Sequence, residues 1–179
     1  MLFDHKYLPN YSYDEYCKWE GNWELIDGIP WAIQNTQDID HQIVNGNLMV
    51  IFKDALKTLS KLYKNYISIP WKISESTIIM PDTCIINKKV EGDYLDFTPQ
   101  LVAEILSPST AVKDRNIKKE IYLSQKVKYF LILDPQLKKL EIYELLNDTY
   151  SPVSISPNNF AFTFEDGSTA DVDFEDIWD

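Results

Sequence analysis

Only two cysteines occur in the chain, Cys17 and Cys84, too few for a disulfide scaffold and without the spacing of a metal cluster. No apolar run approaches the ~20 residues that a membrane-crossing helix needs, so no membrane partner is expected. Met1-Leu2-Phe3 runs straight into Asp4, His5 and Lys6. That opening does not read as a secretory leader, and a cytosolic, that is cytoplasmic, protein fits. There is no internal repeat, low-complexity tract or Gly/Ser linker, so one domain over residues 1–179 is expected. Basic side chains are scarce too: 17 Lys and Arg stand against 28 Asp and Glu, a net charge of −11. That argues against a surface attracting nucleic acid in general, since phosphate binding rests on Lys and Arg. Apolar side chains are plentiful. At 45% hydrophobic and 13% aromatic, the chain has material for a packed core, which excludes wholesale disorder.

The charge is unevenly spread. Residues 151–179 hold seven carboxylates (Glu165, Asp166, Asp171, Asp173, Glu175, Asp176, Asp179) and no Lys or Arg, so −4 remains without them. Further back, Lys113, Arg115, Lys118, Lys119, Lys126 and Lys128 face only Asp114 and Glu120. On composition alone, such a basic stretch reads as a solvated helix face.

Ser12-Tyr13-Asp14-Glu15 has the form of a capping box and predicts a short helix to about Glu20. Asp27-Gly28 between residues 22–26 and 29–34 predicts a hairpin, because both turn positions need positive φ. Val44, Leu48, Ile51, Phe52, Ala55, Leu59, Leu62 and Tyr63 recur at helical spacing and predict a helix from His41 to about Lys64. Asp38 or Asp40 would cap its start, and Lys57, Lys61 and Lys64 would suit its end. Strands are expected over 67–73, 77–86, 100–106, 129–133, 139–145, 150–156 and 160–164. The run 100–106 reads as buried on both faces. A helix is expected over 111–125, with Ile117 and Ile121 inward, and a closing turn over 174–178. The order predicts an α/β fold: a mixed sheet with helices packed on it.

Glu104 is anomalous. It stands among Leu101, Val102, Ala103, Ile105 and Leu106, where a carboxylate is costly to bury unless paired or bound to a metal. An edge position or a Lys or Arg partner would also explain it. Asp82 likewise interrupts an apolar strand, at Met80-Pro81-Asp82-Thr83, although a turn-forming or solvent-facing Asp is an equal alternative. If the two strands pair, both carboxylates fall on one face and raise each other's pKa unless a cation is present. Such an oxygen-rich pair suits Mg²⁺ or Mn²⁺. Asp114, Lys118 and Tyr122 share a helix face. The plain reading is an exposed Asp114–Lys118 pair, and the functional one is an ammonium that orients water or stabilises charge beside the carboxylates.

These residues carry a resemblance. Trp23-Glu24-Leu25-Ile26-Asp27-Gly28, His41-Gln42, Pro81-Asp82 and Leu101-Val102-Ala103-Glu104-Ile105-Leu106-Ser107-Pro108-Ser109-Thr110 occur in order. Asp114-Arg115, Lys118, Tyr122, Tyr129 and Leu133-Asp134-Pro135 follow. The set resembles the Uma-type family of restriction endonucleases, common in cyanobacteria, within the PD-(D/E)XK nuclease superfamily. The similarity spans roughly residues 10–145. It implies a restriction-endonuclease-like core, a central mixed sheet flanked by helices, with added hairpins. It also implies a metal site of Asp82 and Glu104, with Glu24 as a further acid. The superfamily's lysine two residues after the strand glutamate is absent, since Leu106 stands there. In this family a lysine on the next helix takes its place, and Lys118 matches, with Lys119 as the fallback. His41 matches a recurring family histidine, or else is hydrogen-bonded to backbone at a helix start. Tyr122 either packs, the preferred reading, or touches the site. Trp19, Trp23, Trp31 and Trp71 read as core or interface, and Cys17 and Cys84 as small buried hydrophobes.

The resulting expectation is a Mg²⁺-dependent endonuclease acting on DNA, an endodeoxyribonuclease. Asp82 and Glu104, helped by the Ile105 carbonyl, would hold the ion, and Lys118 would position water. The rivals are a non-catalytic binding or assembly module of the same fold, which the acidity favours, and a phosphodiesterase acting on RNA or nucleotides. The resemblance also implies a homodimer, because the fold often cuts two strands by pairing two sites. DNA binding is expected to be weak, salt-sensitive and reliant on the divalent ion.

Overall fold

Asp27 (φ 50°) and Gly28 (φ 77°) both take the left-handed backbone that the hairpin turn requires. They fold β1 (Trp23–Ile26) antiparallel onto β2 (Ile29–Ala32). A side chain at position 28 would also lie 3.0 Å from the Asn10 Cα, so glycine is demanded twice there. The structure, a computed structural model, describes residues 8–33, 39–153 and 158–179. The expected cap at Asp38, the strand end at Gln34, residues 154–156 of a late strand and the opening Met1–Lys6 stretch lie outside those residues.

The capping box is present. The Glu15 carboxylate accepts from the Ser12 N–H and hydroxyl, both at 2.9 Å, and starts α1 (Tyr13–Tyr16), shorter than expected. The long helix is α2 (Ile39–Ala55), tightened by a 3-10 turn over Leu56–Thr58. It stops about nine residues early. Leu59 turns extended and Tyr63 N–H closes a turn onto the Ser60 carbonyl, so Lys61 and Lys64 follow the helix instead of ending it. Lys64 opens β3 (Lys64–Ile67).

Two expected strands are each divided. Residues 67–73 split into the end of β3 and the start of β4 (Trp71–Ser74). Residues 77–86 split into β5 (Thr77–Ile79) and β6 (Thr83–Ile86). Pro70 and Pro81 explain both breaks, because proline has no N–H to give a ladder. Each break carries the chain from one sheet to another. The remaining strands are β7 (Leu101–Ile105), β8 (Tyr129–Asp134), β9 (Lys139–Leu146), β10 (Thr149–Val153), β11 (Asn159–Thr163) and β12 (Thr169–Asp173). The last was not expected from the sequence, since Thr-Ala-Asp-Val-Asp has little apolar content.

The sheets are β2-β1-β5-β4, the central mixed sheet β10-β9-β8-β7-β6-β3, and the hairpin β11-β12. In the central sheet only β7 and β8 run parallel, joined by the helical crossover that such a pair requires. Strand period two sorts the residues of β7. Leu101, Ala103 and Ile105 pack with Val44, Leu48 and Phe52 of α2 and with β11-β12. Val102 and Leu106 pack on the other face with Tyr122, Ile79 and Trp71. All five residues of β7 are buried, as its apolar run predicts. The mixed α/β sheet flanked by helices is therefore the observed architecture.

Candidate active site

Glu104 shares the even-numbered face of β7, so its carboxylate enters the second core. Strand β6 pairs antiparallel with β7, with Thr83 opposite Ala103. The same register sets Asp82 opposite Glu104, one step beyond the last pair. The break at Pro81 therefore does more than end a strand: it delivers Asp82 to the sheet end beside Glu104. The Ile105 N–H donates to Asp82 Oδ2 at 2.8 Å, and His41 Nε2 lies 3.3 Å from the same oxygen. From Ile105, the contact seen at the site is its amide, where the sequence suggested its carbonyl.

Glu24 reaches the same place from β1. It is 1% exposed and accepts the Met80 N–H at 2.9 Å. Lys118 Nζ stands 2.6 Å from Glu104 Oε1, 3.1 Å from Glu24 Oε1 and 3.9 Å from Asp114 Oδ1. It also donates to the Met80 carbonyl at 3.2 Å. Lys113 forms an ion pair with Glu24 Oε2, and the Tyr122 hydroxyl donates to Glu104 Oε1.

The expected helix over 111–125 explains how two lysines converge. It opens as a π-helical segment, Lys113–Lys118, and continues as α3 (Lys119–Ser124). In an α-helix, residues five apart are turned about 140° from each other. The i→i+5 closure of a π segment brings them back to one side. Lys113 and Lys118 thus both meet Glu24. Upstream, the Ser107 N–H donates to the Thr110 hydroxyl and the Ser107 carbonyl receives the Ala111 N–H, turning the chain from β7 into this segment.

Several expectations are corrected here. The Asp114–Lys118 pair is buried, not exposed: the two residues are 2% and 3% accessible. Lys119 does not enter the site, because its ammonium lies 3.7 Å over the Tyr143 ring. Tyr122 does not merely pack. Its ring stacks on Trp71 at 6.2 Å while its hydroxyl meets Glu104. The basic stretch is not a solvated face, since Lys113 and Lys118 turn into the site and Arg115 pairs with Glu141 at 3.0 Å. Cys17 is exposed, and Cys84 alone is the buried thiol expected. Lys113 is a site residue that sequence reasoning missed, because helical spacing from Lys118 excludes it.

The electrostatics follow from burial among like charges. Burial pushes the Glu104 carboxyl well above its usual range; Lys118 opposes this, while Asp114, Asp82 and Glu24 add to it. Burial works against the Lys118 ammonium, but Glu104, Glu24, Asp114 and Asp82 outweigh it and hold the proton on. Burial raises Asp114, with Lys118 and the Thr110 hydroxyl pulling the other way. Burial also pushes on Glu24, yet Lys118 and Lys113 prevail and keep it below the ordinary carboxylate value.

A cavity of about 220 Å³ opens onto these groups. Its walls carry four carboxylates (Glu24, Asp82, Glu104, Asp114) and two ammonium groups (Lys113, Lys118), with His41 at the rim. Carboxyl groups thus outnumber ammonium groups there by four to two. Among the described residues no group of three or more His, Cys, Asp or Glu is arranged as a metal cage. Mg²⁺ does not need one, because it commonly takes one or two carboxylates plus water and substrate phosphate. The contacts of Asp82 given above fall on Oδ2 and those of Glu104 on Oε1.

The model of the family described as "Uma2: Putative restriction endonuclease" matches residues 12–172. Among solved structures, one from Anabaena variabilis, described as "a putative nuclease belonging to DUF820", shares 13% identity. The match covers 93% of this chain and 97% of that one, with a TM-score of 0.72, and it speaks for the fold. No curated protein matches the chain. With that family model spanning nearly its whole length, this chain belongs to the Uma2 family.

Proposed function

We propose that the chain is a divalent-metal-dependent endonuclease hydrolysing DNA phosphodiester bonds at the Asp82–Glu104 cavity. The observation that carries this reading is the placement of Asp82 opposite Glu104, with the Lys118 ammonium 2.6 Å from Glu104. Asp82 and Glu104 would hold Mg²⁺, or Mn²⁺ in its place. When bound, the ion supplies Lewis-acid polarisation of the scissile phosphate. Lys118 orients the attacking water and offsets phosphate charge, and Glu24 fixes Lys118 and Lys113. Tyr122 holds Glu104 in one rotamer by donating its hydroxyl. His41, against Asp82, sits where a proton on the water or the departing oxygen is exchanged.

Cleavage of plasmid and branched DNA with and without Mg²⁺ tests this, comparing the parent with Asp82→Asn. Asp82 is partly exposed, so that variant keeps the fold. Divalent-dependent nicking abolished by the substitution is the expected result, and equal activity in both proteins overturns the reading. The net charge of −11 favours one alternative, a non-catalytic binding module. Mn²⁺ titration calorimetry separates the two, since a module of that kind gives no heat that depends on Asp82. RNA offered beside DNA in the cleavage assay decides the nucleic-acid class.

A further inference from the structure

The C-terminal end of α2, the turn after it and the edge strand β3 enclose a groove of about 660 Å³. Lys53, Lys57, Lys61 and Lys64 line it, and among the described residues no Asp or Glu does. Its floor is apolar, with Met49, Leu56 and Leu59. In a chain of net charge −11, this is a local inversion of sign. Two acids border it: Asp54 pairs with Lys57 at 2.7 Å, and Asp166 lies against Tyr63. Two negative charges against four positive ones leave the groove electropositive. Lysine ammonium groups are point charges suited to phosphates.

The groove is tied to the candidate active site by two rigid elements. On α2, His41 reaches the cavity and Lys53 the groove, and twelve residues of helix span about 18 Å. At its start β3 places Lys64 in the groove and just past its end Ser68 lines the cavity, a separation of about 13 Å along the strand. Successive phosphates of a strand advance about 3.4 Å along a duplex, so the separation is about four to five nucleotides.

We infer that this groove is a second nucleic-acid contact, gripping the sugar–phosphate backbone about four to five nucleotides from the bond to be cut. This rests on the nuclease reading and extends it: the strand leaves the cavity along α2 and β3 and meets the four lysines. The grip is small. Lys57 is already paired with Asp54, so Lys53, Lys61 and Lys64 neutralise about three phosphates and give a salt slope of about −2.7 in log affinity against log salt.

The full chain carrying Asp82→Asn is titrated against a fluorescein-labelled 20-mer duplex at several KCl concentrations, in EDTA so that no divalent ion is present. In that background Lys61→Gln/Lys64→Gln is compared with Lys126→Gln/Lys138→Gln, an equal charge change outside the groove. The groove pair is expected to weaken binding about tenfold at low salt and to flatten the slope by about 1.8, with the outside pair near the parent. Equal losses in both pairs overturn the proposal. So does a groove pair that changes only the oligomeric state in sedimentation, which would mark the groove as a seat for the acidic segment of a second copy. A second arm restores Asp82 and measures hydrolysis of the 20-mer and of bis(4-nitrophenyl) phosphate, which is too small to reach the groove. The groove pair should raise KM for the 20-mer and leave the small diester unchanged. If the parent cuts neither substrate, the nuclease reading fails while the binding arm still decides the groove.

Discussion

The ammonium of Lys118 and the carboxylate of Glu104 lie 2.6 Å apart, with both side chains at most 3% exposed. Breaking a buried ion pair from one side strands the other charge. Lys118→Met is therefore expected to cost about 3–5 kcal/mol, read as a lower urea midpoint. An unchanged midpoint would mean that Glu104 is satisfied without its lysine.

Glu104 itself is held against its preference, buried and facing three like charges. Glu104→Gln keeps the Tyr122 hydrogen bond and removes that charge. Lys118 is not stranded by this change, because Glu24 at 3.1 Å and Asp114 at 3.9 Å remain beside it. In metal-free buffer the loss of the repulsion should therefore stabilise the protein by about 1 kcal/mol, a rise in Tm of about 2–4 °C, while abolishing cleavage. A lower Tm would show that the carboxylate is a net stabiliser as folded.

Tyr122→Phe tests the hydroxyl without disturbing the ring. Losing the donor to a buried carboxylate is expected to cost about 1–3 kcal/mol in chemical denaturation. Tyr122→Ala also opens a cavity beside Trp71 and should cost more, about 3–5 kcal/mol. Equal costs would place the whole effect in packing.

Glu141 gives a pH signature away from the cavity. Burial opposes its charge, but hydrogen bonds from Arg115, Tyr143 and Lys139 overcome it and hold the carboxyl at about 2, against 4.5 when unperturbed. A lowered folded pKa stabilises the native state above the unfolded value and loses that contribution as pH falls from about 4.5 to about 2. Glu141→Gln should thus cost about 1 kcal/mol at pH 7, discounted for partial exposure, and only a small remnant of that at pH 2. Denaturation at both pH values checks it, and a cost undiminished at pH 2 would contradict the assignment.

The sequence made the Asp27-Gly28 turn, the Ser12 capping box and the buried run around Glu104 legible because each is a local rule: φ sign, cap spacing or strand burial. It hid what depends on the third dimension. The run 77–86 reads as one strand, which hides both the break at Pro81 and the shift between sheets that turns Asp82 toward Glu104. Lys113 escaped because α-helical periodicity sets it apart from Lys118, and only a π turn reunites them. The end of α2 was missed because Leu59, Leu62 and Tyr63 keep a helical apolar spacing, whereas Leu59 and Tyr63 pack from the turn before β3 and Leu62 is exposed. The sequence ranks Lys118 before Lys119 without excluding either; the fold turns Lys118 onto Glu104 and lays Lys119 over the ring of Tyr143.

The short passage Met80-Pro81-Asp82 joins the four-stranded sheet to the central one, and its anchors are the site's own side chains. Met80 gives its N–H to Glu24 and its carbonyl to Lys118, while Asp82 is tied to the Ile105 amide. The suture between the two sheets and the seat of the candidate chemistry are thus one object. Whatever tightens the hold on Asp82 also draws the hairpin of Glu24 against the central sheet. The docking of the sheets is therefore a property that a ligand can adjust, and hydrogen exchange at Met80 and Ile105 would register it directly.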